Sequence, residues 1–136
     1  MWRIFVVLIL FFGMANVGFA QKAKATKKGP IFKFDQELIQ LGKVKRGETR
    51  NFEFKFTNAG DEDLQIDIVS SCSCTTVDYP VKKIKPNEKG VLKVTFDSTE
   101  KEKSETVDVD IYLKNTNPKT GSPILKIVQY SFELTK

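Results

Sequence analysis

Hydrophobic residues recur at every second position through most of the chain. Phe52, Phe54 and Phe56 alternate with Glu53 and Lys55. Val107, Val109, Ile111 and Leu113 alternate with Asp108, Asp110 and Tyr112, and Leu92, Val94 and Phe96 repeat the pattern. A period of two sends successive side chains to opposite faces of a strand, so each run predicts a strand with one apolar face. Shorter runs predict further strands around Phe32 and Phe34, at Leu38 to Leu41 closed by Gly42, and at Leu64, Ile66 and Ile68. Two more are predicted at Val77 to Tyr79 and at Val128, Tyr130, Phe132 and Leu134. Turn-forming residues separate them at 45–47, 58–61, 86–90 and 115–123. No stretch of the domain has the helical period. About seven strands, each with one face to bury, predict an all-β antiparallel β-sandwich in which two sheets cover each other.

The first 20 residues break this pattern. Arg3 precedes an apolar run from Ile4 to Phe12, and the small residues Gly18 and Ala20 are spaced like a signal-peptidase site. A signal peptide over residues 1–20 is expected, with an uncleaved anchor as the alternative. Residues 21–30 form a Lys-rich linker and residues 31–136 the sandwich. The expected location is therefore exported, either periplasmic or secreted to the cell surface. The net charge of +5 belongs to the N-terminal segments. Arg3, Lys22, Lys24, Lys27 and Lys28 account for five of the 22 basic residues, and the remaining 17 balance 17 acidic ones. A neutral domain lacks the basic patch of a nucleic-acid binder. Contact with a membrane is expected only through an uncleaved signal segment or the Lys tail.

The chain has no His, and its two Met residues, Met1 and Met14, lie in the signal segment. The commonest general base and metal ligand is thus missing. No Ser-His-Asp set, phosphate-cradling loop or zinc motif is present. The chain reads as a non-enzyme, and no cofactor is expected.

The remaining chemistry is Cys72 and Cys74, in the segment SSCSCTT (residues 70–76). Three readings stand side by side. The thiols could pack as small apolar groups at a strand end. They could cycle between dithiol and disulfide as a thiol-exchange site. They could also bind a soft ion such as Cu(I). Export favours oxidation, but residues two apart in an extended strand lie about 6.6 Å apart at Cα. That is the outer edge of disulfide reach, so the backbone would have to bend. The loop closed is so short that the entropic gain is only about 1.5 kcal/mol.

Leu125 and Ile127 stand out of phase with the run from Val128 to Leu134. They mark either a partner-binding edge or a bulge or covered strand. Asp108 and Asp110 share an outward face, where lysines of a neighbouring strand are expected beside them. Asp97-Ser98-Thr99 is similar to a short bacterial O-glycosylation pattern, a three-residue match that arises readily by chance.

Four segments together resemble the bacterial domain-of-unknown-function family 1573. They are LGKVKRGE (residues 41–48), FEFKFTNAG (52–60), LQIDIVSSCSCTT (64–76) and IKPNEKGVLKVTFDS (84–98). That family is immunoglobulin-like, akin to the ASPM–SPD-2–Hydin and major-sperm-protein domains. The resemblance implies a fold and an exported location, and no activity. Its usual motif is Cys-Gly-Cys-Thr, where this chain has Ser73 between the cysteines. The expected function is an exported interaction or assembly module of the bacterial cell envelope with an unknown protein partner. The alternative is a thiol-redox or Cu(I)-binding domain centred on Cys72 and Cys74.

Overall fold

A computed structural model describes residues 28–136. The expected signal segment, and the linker up to residue 27, lie outside the described residues. The strands are β1 (Phe32–Phe34), β2 (Leu38–Lys45), β3 (Thr49–Asn58), β4 (Ile66–Ser70), β5 (Thr75–Asp78), β6 (Lys89–Asp97), β7 (Glu105–Thr116) and β8 (Pro123–Thr135). They form two four-stranded sheets, ordered β1-β3-β6-β5 and β2-β8-β7-β4.

The two-sheet sandwich is the one the alternation predicts, with two differences. There are eight strands, one at each of the eight runs named above, rather than about seven, and β1 and β2 lie in different sheets. The pairing is antiparallel except for β2 and β8, which run parallel. Gly42 does not close β2. It takes φ +73° where the register against β8 shifts, and the strand continues to Lys45. A residue with positive φ inside a strand is the usual place for glycine.

The inner faces supply one core. Phe54, Phe56, Leu92, Val94 and Phe96 come from the first sheet, and Val107, Val109, Ile111, Leu113, Val128, Tyr130 and Phe132 from the second, all buried. Each such side chain contributes roughly 1.5–3 kcal/mol on leaving water. Across the sandwich the ring of Phe96 lies 5.3 Å from that of Tyr130 and 4.6 Å from that of Phe132, between centroids.

Ile68 departs from the expected inward face. Ile66 pairs with Leu113 and Ile68 with Tyr112, so Asp67 is an extra residue and the phase flips. Ile68 is 52% exposed as a result. Gly90 stands opposite Phe56, and a Cβ there would sit 2.3 Å from the Phe56 ring. The ring covers the glycine, so no other residue fits.

Two buried polar side chains fix the corners. Asn58 donates through Nδ2 to the carbonyls of Glu62 (2.7 Å) and Ile84 (3.0 Å). Its Oδ1 accepts from the N–H groups of Gly60 (3.0 Å) and Ile31 (3.3 Å). One amide thus ties β3 to the loop after it, to the lead-in of β1 and to the Leu64–Ile84 bridge. Gly60 completes the corner, since a Cβ there would lie 1.9 Å from the Gly29 carbonyl oxygen. Ser98 donates through Oγ to the Glu48 carbonyl (2.8 Å), and its oxygen accepts from the Gly47 N–H (2.9 Å). Ser98 is fully buried, so its hydroxyl is not available to a glycosyl donor.

Replacing Asn58 with Ala takes the amide from the N–H groups of Gly60 and Ile31 and from the Glu62 carbonyl, while the Ile84 carbonyl keeps the Leu64 N–H (2.8 Å). We expect Asn58→Ala to lower the free energy of unfolding by about 2–3 kcal/mol. Urea denaturation followed by tryptophan-independent far-UV circular dichroism checks this. A loss below about 0.5 kcal/mol, the range of ordinary surface substitutions, contradicts it.

Candidate functional site

Strand β4 ends in the second sheet and β5 begins in the first, so residues 71–74 carry the chain from one layer to the other. Their backbone is held at three points. The Ser71 hydroxyl donates to the Asp108 carbonyl (2.7 Å), Thr75 N–H to the Cys72 carbonyl (3.0 Å) and Asp97 N–H to the Cys74 carbonyl (2.9 Å). The Thr75–Cys72 bond closes a turn, which brings the two cysteine Cα atoms to 5.2 Å. That is well inside disulfide reach, and Cys72 and Cys74 are bonded to each other. The sulfurs do not pack as two separate thiols, because this layer change supplies the bend that an extended strand lacks. No residue of the turn has positive φ, so Ser73 serves where the family motif has glycine.

The pair is half-buried and rests on the core. Beneath it Thr75 Oγ1 lies 3.0 Å from Cys72 Sγ and 3.4 Å from Cys74 Sγ. Tyr130 OH lies 2.5 Å from Thr75 Oγ1, and 4.0 and 3.9 Å from the two sulfurs. Tyr130 is fully buried, its ring held by Phe52 and Phe96. Burial pushes its phenol above the usual 10.0. The Thr75 hydrogen bond pulls the other way, and the negative charge of Glu105 adds to the rise. Tyr130 therefore keeps its proton at neutral pH, and either hydroxyl of the Thr75–Tyr130 pair can be the donor. Sequence reasoning placed Tyr130 only on the inward face of the last strand and passed over Thr75. The available signal was a tyrosine among aliphatic and Phe residues, because a buried phenol requires a hydroxyl partner.

For the metal reading, oxidised sulfurs offer no thiolate, so Cu(I) would need the reduced pair. No group of three or more His, Cys, Asp and Glu side chains gathers among the described residues.

The second candidate lies on the outer face of the β2-β8-β7-β4 sheet. Leu125 is opposite Tyr112, which is opposite Ile68 on the far side, so these three form a row across β8, β7 and β4. Ile127 lies two residues along β8 on the same face, and Leu38 of β2 pairs with Gln129 just beyond it. Leu38, Ile68, Leu125 and Ile127 are 44–52% exposed. Ile124 and Lys126 of β8 turn inward, and the pairing with β7 shifts register between Tyr112 and Thr116, opposite Leu125 and Pro123. Asp108 and Asp110 face Gln129 and Ile127 rather than lysines; Gln129 Nε2 donates to Asp108 Oδ1 (2.7 Å). The acidic turn at Asp61 is also engaged, its carboxylate accepting from the N–H groups of Lys28 and Gly29 (both 2.8 Å).

A profile of the family described as "Protein of unknown function (DUF1573)" matches residues 32–127. The chain belongs to this family. Its motif FTNAG contains Asn58 and Gly60, the corner described above. No protein of curated function matches the sequence. Among solved structures, a protein of unknown function from Porphyromonas gingivalis W83 superposes with TM-score 0.64 at 19% identity, over 85% of this chain and 51% of that one. The chain thus spans about half the length of that protein. The ASH / PapD-like domain 7 of human CEP192 superposes with TM-score 0.59 at 12% identity, over 77% and 85% of the two chains. The VesB protease of Vibrio cholerae gives TM-score 0.59 at 14% identity, over 75% of this chain and 31% of its own. At these identities the likeness is one of fold: a DUF1573 chain is built as an immunoglobulin-like, PapD-like sandwich.

The raised pKa of Tyr130 has a signed consequence. In the unfolded chain the phenol ionises near 10.0, before the folded one does. The contribution of the folded phenol is fully present below pH 10 and is lost as pH rises through the folded value. We expect the urea midpoint to fall from pH 9 to pH 11 more steeply in the native sequence than in Tyr130→Phe. Equal slopes would show that the phenol is not linked to folding.

Proposed function

We propose that this chain is an exported, non-enzymatic interaction module of the bacterial cell envelope. In this reading it takes an extended segment of a partner protein along the open edge of β8. The observation that carries it is the conjunction of apolar side chains and free backbone at Leu125 and Ile127. The Gln129 N–H bonds the Glu37 carbonyl (2.8 Å), so the odd-numbered residues of β8 direct their backbone groups away from β7. Pairing with β2 begins at Gln129. Leu125 and Ile127 therefore face a side on which no strand pairs among the described residues, with their side chains beside that edge. An extended strand satisfies the backbone groups, and its alternate side chains meet the apolar row. The signal-like N-terminus and the lack of a catalytic set in the sequence support export and a non-enzymatic role. The ASH / PapD-like fold is shared at the level of architecture alone.

The test is affinity capture from the native envelope with three forms: native, Leu125→Lys/Ile127→Lys, and a control, Lys55→Glu, on the outer face of the other sheet. Thermal melts establish that all three fold. We expect a protein retained by the native and control forms to drop at least about tenfold with the double lysine variant, the scale of losing a buried anchor. Equal retention by all three refutes the reading. So does a native homodimer in size-exclusion chromatography that the double variant abolishes, because the face would then belong to a second copy.

A further inference from the structure

We propose that Cys72–Cys74 is a thiol–disulfide exchange site for a dithiol reductant, with Cys72 as the leaving sulfur, Thr75 as its catalytic hydrogen-bond donor and Tyr130 as a positioning residue. This goes beyond the interaction reading and stands or falls apart from it.

The two sulfurs are chemically unequal. Thr75 Oγ1 lies 3.0 Å from Cys72 Sγ but 3.4 Å from Cys74 Sγ. The Thr75 hydroxyl has one proton and must choose a direction. Tyr130 OH, 2.5 Å away, is the stronger acid of the two hydroxyls and has Thr75 Oγ1 as its closest acceptor. When Tyr130 donates to Thr75, the Thr75 proton is left to point at a sulfur, and the nearer one is Cys72. The relay is thus Tyr130 O–H to Thr75 O–H to Cys72 S. A donor aimed at one sulfur of a disulfide stabilises the negative charge that develops there when the bond breaks. It does little for an intact, neutral disulfide, so it favours exchange more than it favours the resting state.

The step balances as follows. One thiolate of the reductant attacks Cys74 Sγ, forming a mixed disulfide. The Cys72–Cys74 bond breaks, and its electron pair leaves on Cys72 as a thiolate held by the Thr75 hydroxyl. The second thiol of the reductant, deprotonated by solvent, attacks its own sulfur in the mixed disulfide. Cys74 leaves as a thiolate and takes a proton from water. Cys72 takes up the second of the two protons that the reductant gave to solvent, so the reductant ends as a disulfide and the Cys pair as a dithiol, with two electrons transferred. Among the described residues the charge that acts on the buried phenol is that of Glu105, which disfavours an anion. The stabilisation of Cys72 thus comes from the hydroxyl pair. The pair is only half-buried at the layer change, which leaves Cys74 open to a thiolate.

The experiment uses the full chain and dithiothreitol as the probe. First, the disulfide is equilibrated with mixtures of reduced and oxidised dithiothreitol without denaturant, and free thiols are trapped with a maleimide. Second, the single-thiol variant Cys74→Ser is alkylated with iodoacetamide across pH 5–10 to give the titration of Cys72, alone and combined with Thr75→Val, Thr75→Ser or Tyr130→Phe. We expect Cys72 in Cys74→Ser to react at a lower pH than an ordinary thiol, which ionises near about 8.5. Thr75→Val should cut its rate at pH 7 by about tenfold, the worth of one hydrogen bond to a charged group. Thr75→Ser should restore it, and Tyr130→Phe should lie between. Cys72→Ser, which leaves Cys74 alone, should show no response to Thr75→Val. Three results overturn the proposal: a disulfide that resists dithiothreitol in the folded protein, a Cys72 profile that Thr75→Val leaves unchanged, or a stronger response at Cys74 than at Cys72. A variant that fails to melt cooperatively is replaced by Thr75→Ala, and the same criteria apply.

Discussion

Mutual coverage of two apolar faces is the constraint on which this structure depends. Each sheet presents a row of large side chains that would stand in water alone, and each supplies an apolar surface that hides the other. The rings of Phe96, Tyr130 and Phe132 meet where that coverage is deepest. Three of the molecule's tightest local structures sit where the chain leaves one layer for the other. The Asn58 corner, the Ser98 corner and the Cys72–Cys74 turn are all such places. At each, the backbone loses its ladder partners inside an apolar body and a side chain or tight turn must replace them.

The disulfide belongs to this set by position but not by energetic role. A ring closed over three residues constrains an unfolded chain very little. The corner amide of Asn58, with four hydrogen bonds in a buried setting, does far more to fix the architecture. The sulfur pair sits over a hydroxyl pair that structural packing alone does not demand, since Phe at position 130 would fill the same volume. Chemistry and scaffold are therefore separable here, with the phenol of Tyr130 the one group that serves both.

Most of the sandwich was legible in the chain because period-two alternation is a direct imprint of a half-buried strand. Phe52–Phe56, Leu92–Phe96 and Val107–Leu113 each sit where their pattern puts them. Ile68 did not, because an inserted Asp67 reverses the phase, and one extra polar residue in an alternating run leaves no mark. Direction was equally hidden: alternation is the same for parallel and antiparallel neighbours, so nothing in Leu38–Lys45 announces that it runs alongside β8. The bend at the cysteines was hidden for a related reason. A disulfide there requires the backbone to leave the extended form, and nothing in SSCSCTT marks Ser71 as the start of the change of layer. Thr75 was invisible as a functional residue because its meaning comes from Tyr130, fifty-five positions away.

The central place of β8 has a bearing on how such a chain comes into being. This strand is encoded after all the others, yet it lies in the interior of its sheet, with β2 on one flank and β7 on the other. A nascent polypeptide growing from its amino end therefore has no seat for β2 until the final segment has been synthesised. Ordering must await nearly the full length, and the loop to be closed is almost the longest the domain contains. Until then β2 has no neighbour to pair with, and the second sheet cannot close over the first.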